Sequence, residues 1–351
     1  MSGVIKIKIS IRNLNRKWFI ICIFISVVSL YFIIDAALYA NNTHYFLDEE
    51  NKYPLIDGFY YFESTNFSSV MNKEFDNEGI VLVNYNGDVG KVYNPVSISQ
   101  HIIGLVPYLN DNIYANESFY KNLDFLLAYG ELTCENNLVF PYFFDWHHNN
   151  ETAPWYSSMA QGQAASAFLW GYRFSGERKY LEGAKKSIFS LFEENSSKGF
   201  MKMKNNGVWF KEYPNYDFEV LDGSLATIAG IYDLYKALDD VDPERKIVGD
   251  KLNLSLISFK NSSHEFESIL FGHYYDNKKT IVNPGYYSTN LRWLDYLSNY
   301  DESLNEIRND YIMEDCGFFK KMIMRFWMRF SGFYYYKILP YSKLFADSYL
   351  K

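Results

Sequence analysis

Apolar residues recur at helical spacing in four paired segments, 96–130, 157–194, 219–258 and 288–314, each pair broken by a short polar or glycine-containing turn such as SGERK or DDVDPE. The first helices of these pairs start near Val96, Ser157, Glu219 and Ser288, a recurrence of about 60–70 residues. A single helical hairpin cannot bury its apolar face, so a succession of them predicts stacking. The expected fold is therefore mainly α: an incomplete α/α toroid over 96–315, preceded by a small β-hairpin region. That region lies in the 41–95 segment, where GFYYFES, GIVLVNY and the turn from Asn86 to Asp88 mix aromatic and β-branched residues with turn signals.

Three aromatic, strand-like stretches join one hairpin to the next: NLVFPYFFDW (137–146), NNGVWFKEYP (205–214) and FGHYYDN (271–277). In a toroid such connections gather at one mouth of the barrel, where a cleft forms. They read equally well as plain loops whose aromatics fill the core.

Trp18 to Ala40 is an apolar run whose only charge is Asp35, long enough to cross a bilayer, which takes ~20 residues as a helix. Lys6, Lys8, Arg12, Arg16 and Lys17 precede it and Asp48, Glu49 and Glu50 follow. The positive-inside rule then makes 1–17 a cytoplasmic tail and 18–40 a signal anchor, with the remainder outside. The run exceeds the about 7–15 apolar residues of a cleaved signal peptide, so the expectation is a single-pass type II protein at a cell surface or in a Golgi lumen.

The chain carries −8, and its first forty residues hold five cations and one acid; −8 less +4 leaves the remainder near −12. Nucleic acid is thereby disfavoured as a partner. Cys22 falls in the span, and Cys134 and Cys316 make at most one bridge, so neither a disulfide framework nor a metal cluster is indicated. Seven sequons, at Asn41, Asn66, Asn116, Asn150, Asn195, Asn253 and Asn261, suit a glycosylated extracytoplasmic domain. There is no Gly-rich phosphate loop and no HExxH or CxxC. His147 and His148 are adjacent, and strand neighbours face opposite ways, which disfavours joint metal ligation. No metal and no organic cofactor is expected.

What the connections concentrate is tyrosine and glutamate: Trp209, Glu212 and Tyr213, then Tyr274, Tyr275 and Lys278, then Tyr286 and Tyr287 at a helix entrance. In order along the chain stand APWYSSMAQGQAASAFLWGYRFSG (153–176), WFKEYP (209–214), VLDGSLATIAGIYDLYKA (220–237) and YYSTNLRWLDYLSNYDES (286–303). This succession resembles the C-terminal domain of the glucuronyl C5-epimerases, which convert D-glucuronate to L-iduronate within heparan-type polymers. DGFYYFES (57–64) and VYNPVSISQ (92–100) resemble family segments too, extending the likeness to roughly 55–315. The resemblance implies an α/α toroid, a cleft that threads a polyanionic uronate polysaccharide, no cofactor, often a homodimer and, as in the animal members, a type II anchor. The β-sandwich that those members carry has no room between Gln100 and Trp155.

The chemistry explains the residue types. The hydrogen on C5 of a uronate is α to a carboxylate, and its removal makes an enolate-like dianion that needs donors or a cation. Inversion needs one group to take the proton and another to return one to the opposite face. The resemblance implies Glu212 as one acid–base group, Tyr286 as its partner across the ring and Tyr275 near the carboxylate or the C4 oxygen. It further implies a cleft lined by Tyr93, Trp155, Tyr156, Gln161, Gln163, Tyr213, Asn290 and Arg292. Gln163 also reads as a buried structural amide among the small residues around it. A tyrosine titrates near 10 and needs a positive neighbour to act as base, for which Lys278 is the candidate. The family typically has Arg there, and Lys lacks the planar fork that grips a carboxylate.

Three rival readings stay open: a polysaccharide lyase sharing the first step, a glycoside hydrolase pairing Glu212 with Asp217, Glu219 or Asp222, and a non-catalytic glycan-binding protein. In the last segment, 316–351, Lys320, Lys321, Arg325, Arg329 and Lys337 interleave with aromatics, and no acid stands between Gly317 and Ala346. This stretch reads as a glycan-attracting patch, a helix along an anionic membrane surface, or an amphipathic helix packed on the toroid.

Overall fold

The structure, a computed structural model, describes residues 2–42, 52–62, 66–85, 88–146, 151–193, 199–216, 218–313 and 317–333, with side chains in the first helix from Trp18 onward. The chain divides into two compact units, one of residues 1–45 with 313–351 and one of Phe46–Ile312.

The larger unit holds four helical hairpins: α3 (Pro95–Leu105) with α4 (Ile113–Tyr129), α5 (Ser158–Ser175) with α6 (Arg178–Phe192), α7 (Leu221–Ala237) with α8 (Pro243–Ser262), and α9 (Pro284–Ser298) with α10 (Leu304–Tyr311). The first helices, α3, α5, α7 and α9, pack side by side in that order, and each packs on its own hairpin partner. The order of burial follows the sequence. From Ser158 to Gly171 every residue of α5 is buried, and α7 is buried from Leu221 to Leu234, as expected of helices apolar or small all round. The outer α6 buries one face only.

Small residues set the distance between α5 and α7. A β-carbon on Gly230 would stand 2.3 Å from the carbonyl oxygen of Gly162, so the two backbones touch. Helix starts are written in the sequence. Asn94-Pro95, Asp242-Pro243 and Asn283-Pro284 open α3, α8 and α9, with each cap side chain accepting from a first-turn N–H and proline preset for the helix.

Ahead of the hairpins, β1 (Leu55–Ile56) and β2 (Phe59–Tyr60) pair across Asp57-Gly58, both with positive φ, the geometry of a tight hairpin turn. Tyr60 is buried, with Gln163 Nε2 donating to its hydroxyl at 3.1 Å and Trp170 Nε1 donating to its carbonyl at 3.0 Å. After the short helix α2 (Phe67–Met71), strands β3 (Glu74–Phe75), β4 (Val81–Tyr85) and β5 (Gly90–Val92) form an antiparallel sheet. The expected NGD turn includes Asn86 and Gly87, which lie outside the described residues, as do His147, His148, Asn150, Asn195, Asp217, Cys316 and Lys337. Short hairpins also occupy the connections: β6 (Glu131–Leu132) with β7 (Leu138–Val139), β8 (Met201–Lys204) with β9 (Gly207–Phe210), and β10 (Glu267–Ser268) with β11 (Gly272–His273).

In the smaller unit, α1 (Ser2–Asn42) contains Trp18–Asn42, long and apolar enough to cross a membrane, with a mean hydropathy of 2.5. It packs against α11 (Phe318–Phe333), so within this unit the partner of the basic segment is the first helix.

Candidate active site

The connections between hairpins meet at one cavity of about 620 Å³. The stretch before α5 supplies Tyr142, Trp146 and Trp155; the stretch from β9 to α7 supplies Glu212, Tyr213 and Asp222; Tyr275 and, at the entrance of α9, Tyr286 and Thr289 close the ring. Residues ahead of α4, among them Tyr85, Asn94 and Gln100, complete it.

One wall is an aromatic platform. Trp155 and Tyr142 exchange backbone hydrogen bonds and their rings stack 3.8 Å apart at 9°. The Trp155 Nε1 donates to the Phe144 carbonyl at 2.8 Å, which fixes the indole plane. Stacked rings with satisfied polar edges present flat apolar faces of the kind sugar rings pack on.

The same cavity is lined by a pair of carboxyls. Glu212 follows β9 by two residues and is 8% exposed, and Asp222 sits in the first turn of α7 at 2%. Glu212 Oε2 and Asp222 Oδ1 are buried with no hydrogen-bond partner among the described residues. Burial pushes the Glu212 carboxyl well above the usual carboxylate range, the nearby Asp222 charge pushes it further, and a hydrogen bond from the Tyr213 hydroxyl pulls it partly back. Burial raises Asp222 to about 7 against the opposing pull of backbone N–H groups at the start of α7. Both carboxyls thus resist ionisation, the charge of one opposing that of the other.

Tyr275 and Tyr286 lie with ring centroids 5.0 Å apart on the same cavity. Burial and the two carboxyls raise both phenols above their ordinary value. Tyr286 remains 42% exposed, open to an incoming ligand. Its position is set by Asn283, whose Oδ1 accepts the Tyr286 N–H at 3.0 Å.

Of the residues singled out in the sequence, Glu212, Tyr213, Tyr275, Tyr286 and Trp155 therefore come together. The others stand elsewhere, each engaged by a different partner. Tyr93 donates to Asp76 Oδ2 at 2.6 Å and packs on Phe125 and Tyr129. Tyr156 donates to Glu131 Oε2 at 3.1 Å. Gln161 is fully buried, its amide oriented to donate to the Leu138 carbonyl and accept from the Phe140 N–H. Gln163 binds Tyr60, as the structural-amide reading had it, and Asn290 lies buried 3.1 Å from His273 Nε2. Arg292 faces the Tyr53 ring at 5.7 Å. The Lys278 ammonium sits 4.3 Å over the Phe218 ring, not among the residues lining the cavity, so the expected cation beside the tyrosines is displaced onto an aromatic face. Among the described lining residues there is no Lys or Arg.

In the sequence Asp222 stands out only as a partner in a rival pairing, and Tyr142, Tyr85 and Asn94 carry no such mark. The signal for Asp222 was the glycine after it, in a helix first turn where glycine is disfavoured unless something approaches closely. A second feature of this site is its span. Tyr85, Asn94 and Gln100 come from the region before the hairpin that begins at α5.

The profile of one protein family, described as D-glucuronyl C5-epimerase C-terminus, matches residues 135–314. The matched stretch contains both carboxyls, Trp155, Tyr213 and the two facing tyrosines, while 57–64 and 92–100 lie outside it. With half of its length matched and its cavity built mainly from that half, the chain belongs to the D-glucuronyl C5-epimerase C-terminus family.

Proposed function

We propose that the chain is a polysaccharide C5-epimerase that converts D-glucuronate to L-iduronate residues within a glycan, held by α1 in a membrane with its catalytic unit outside the cytoplasm. In this reading the four hairpins form an arc of an α/α toroid and the cavity lies at its mouth. The observation that carries it is the meeting of two buried carboxyls that resist ionisation with two phenols in one aromatic-walled cavity.

The Glu212–Asp222 pair, holding one proton between two carboxyls, takes the C5 proton and becomes fully protonated. Its O–H groups then donate to the oxygens on which negative charge accumulates, a role left to neutral acids where no cation lines the site. Tyr286 gives its phenolic proton to C5 from the opposite face, and Tyr275 donates to the uronate carboxylate or the C4 oxygen. Afterwards the pair gives up a proton and the phenolate recovers one through solvent. The tyrosines act as acids because no cation among the described lining residues lowers their titration.

Two acids sharing one corner also admit a hydrolase reading, which needs carboxyls on either side of a bond, about 5–9.5 Å apart. Incubation with uronate polymers separates the outcomes. An epimerase leaves chain length unchanged and produces iduronate signals, a hydrolase produces reducing ends, and a lyase produces an ultraviolet-absorbing unsaturated uronate.

A further inference from the structure

The unit made by α1 and α11 contains a charge arrangement that the catalytic reading does not use. Asp35, the single charge in the apolar run, is gripped by two arginines one helical turn apart on α11. Arg325 Nε and Nη2 donate to its two oxygens at 2.8 and 3.2 Å, and Arg329 Nε and Nη2 donate at 3.3 and 3.2 Å. Forked contacts of this kind fix both position and orientation.

The neighbours give the direction. Arg325 lies over the Tyr39 ring at 4.9 Å, whereas Arg329 lies near Tyr31, so α11 runs antiparallel to α1 and descends along it. Phe326 meets Phe32 edge-on at 6.4 Å. A helix packed against residues in the outer half of a membrane span lies at the depth of those residues. Lys320 and Lys321 precede Arg325 by about one turn and thus stand roughly 6–8 Å further out, at headgroup level.

Apart from Arg329, the exposed side chains of α11 among the described residues are apolar. Phe319 is 78% and Trp327 48% exposed, and a groove of about 1100 Å³ between the helices is lined by Phe24, Val28, Phe32, Ile323, Phe326 and Trp327. This surface continues the exposed apolar face of α1, which only lipid covers in a spanning helix. We infer that α11 is embedded in the outer leaflet against α1, with acyl chains covering its apolar face and filling the groove, so that the catalytic unit is tied to the membrane at both of its ends. The inference rests on the reading of α1 as a membrane span. A lone Asp in the outer half of such a span is costly, and two guanidiniums brought down from the outer surface neutralise it while their helix supplies the apolar contact.

The test uses the full chain in phosphatidylcholine vesicles, with Cys22, Cys134 and Cys316 replaced by Ser and single cysteines placed by Trp327→Cys, Ile25→Cys or Asn116→Cys. Each is treated with a membrane-impermeant maleimide, normalised to the SDS-denatured protein. The expected result is labelling of Trp327→Cys and Ile25→Cys on the order of tenfold slower than of Asn116→Cys. Labelling of Trp327→Cys at the rate of Asn116→Cys, with Ile25→Cys still protected, would overturn the inference and leave the anchor standing. Labelling of both would remove the anchor reading and the inference with it. Adding Asp35→Ala to Trp327→Cys should speed its labelling, and an unchanged rate would overturn the role given to the ion pair.

Discussion

A β-carbon added at Gly223 would stand 2.2 Å from Oε2 of Glu212 and 2.7 Å from its Cβ and Cδ. The glycine in the first turn of α7 is thus the floor on which the Glu212 side chain lies. Gly223→Ala should displace Glu212 from the cavity and lower turnover by about two orders of magnitude, since small misplacements of a reacting group cost that much. Steady-state kinetics with circular dichroism checks it. A folded variant with unchanged kcat would show that Glu212 is not where the reaction occurs.

The carboxyl pair also links pH to stability and to rate. Both folded-state pKa values are raised by burial, so the native state binds more protons than the unfolded state above about pH 4, and stability falls as pH rises from there through about 7 for Asp222. Glu212→Gln and Asp222→Asn should each raise Tm by a few degrees at pH 8 and by less at pH 5. Activity runs the other way. The pair must give up its first proton to act as base, so kcat/KM should climb as pH rises through about 7. A melting series across pH reads the first effect and a pH–rate profile the second.

Lys278 gives a negative control. Its ammonium packs over Phe218 and not on the cavity wall, so Lys278→Ala should leave kcat within about threefold and cost at most about 1 kcal/mol of stability, the worth of a partly exposed cation–π contact. A loss of two orders of magnitude in kcat would mean that the lysine enters the cavity when substrate binds.

The hairpins were legible in sequence because helical periodicity and Asn/Asp-Pro caps are local signals. The expected segments 96–130 and 157–194 differ from α3–α4 and α5–α6 by a residue or two at the ends. In the last hairpin the helix starts at Pro284, not Ser288, because Asn283 caps it and Pro284 presets its first turn. Glu212, Tyr213, Tyr275 and Tyr286 line one cavity because the connections that concentrate them in the sequence meet there. Tyr93, Gln161 and Asn290 were assigned to the cleft through family likeness, yet burial direction is decided by partners distant in sequence: Asp76 for Tyr93, the Leu138–Phe140 backbone for Gln161, His273 for Asn290. No periodicity reports such contacts. The grip on Asp35 is of the same kind, since its two arginines lie some 290 residues away, although their spacing of four on a helix was visible.

The central claim is that the Glu212–Asp222 pair removes the hydrogen on C5 of a polymeric uronate and Tyr286 returns one to the opposite face. The most direct measurement incubates the full chain with uronate-containing polymers in D₂O and follows C5 by proton NMR. The account expects loss of the C5 proton signal to deuterium, new iduronate-type signals without chain cleavage, and a drop of about 10²–10⁴ in exchange for Glu212→Gln. No exchange on any such polymer by the folded protein, or exchange undiminished in Glu212→Gln, would contradict it.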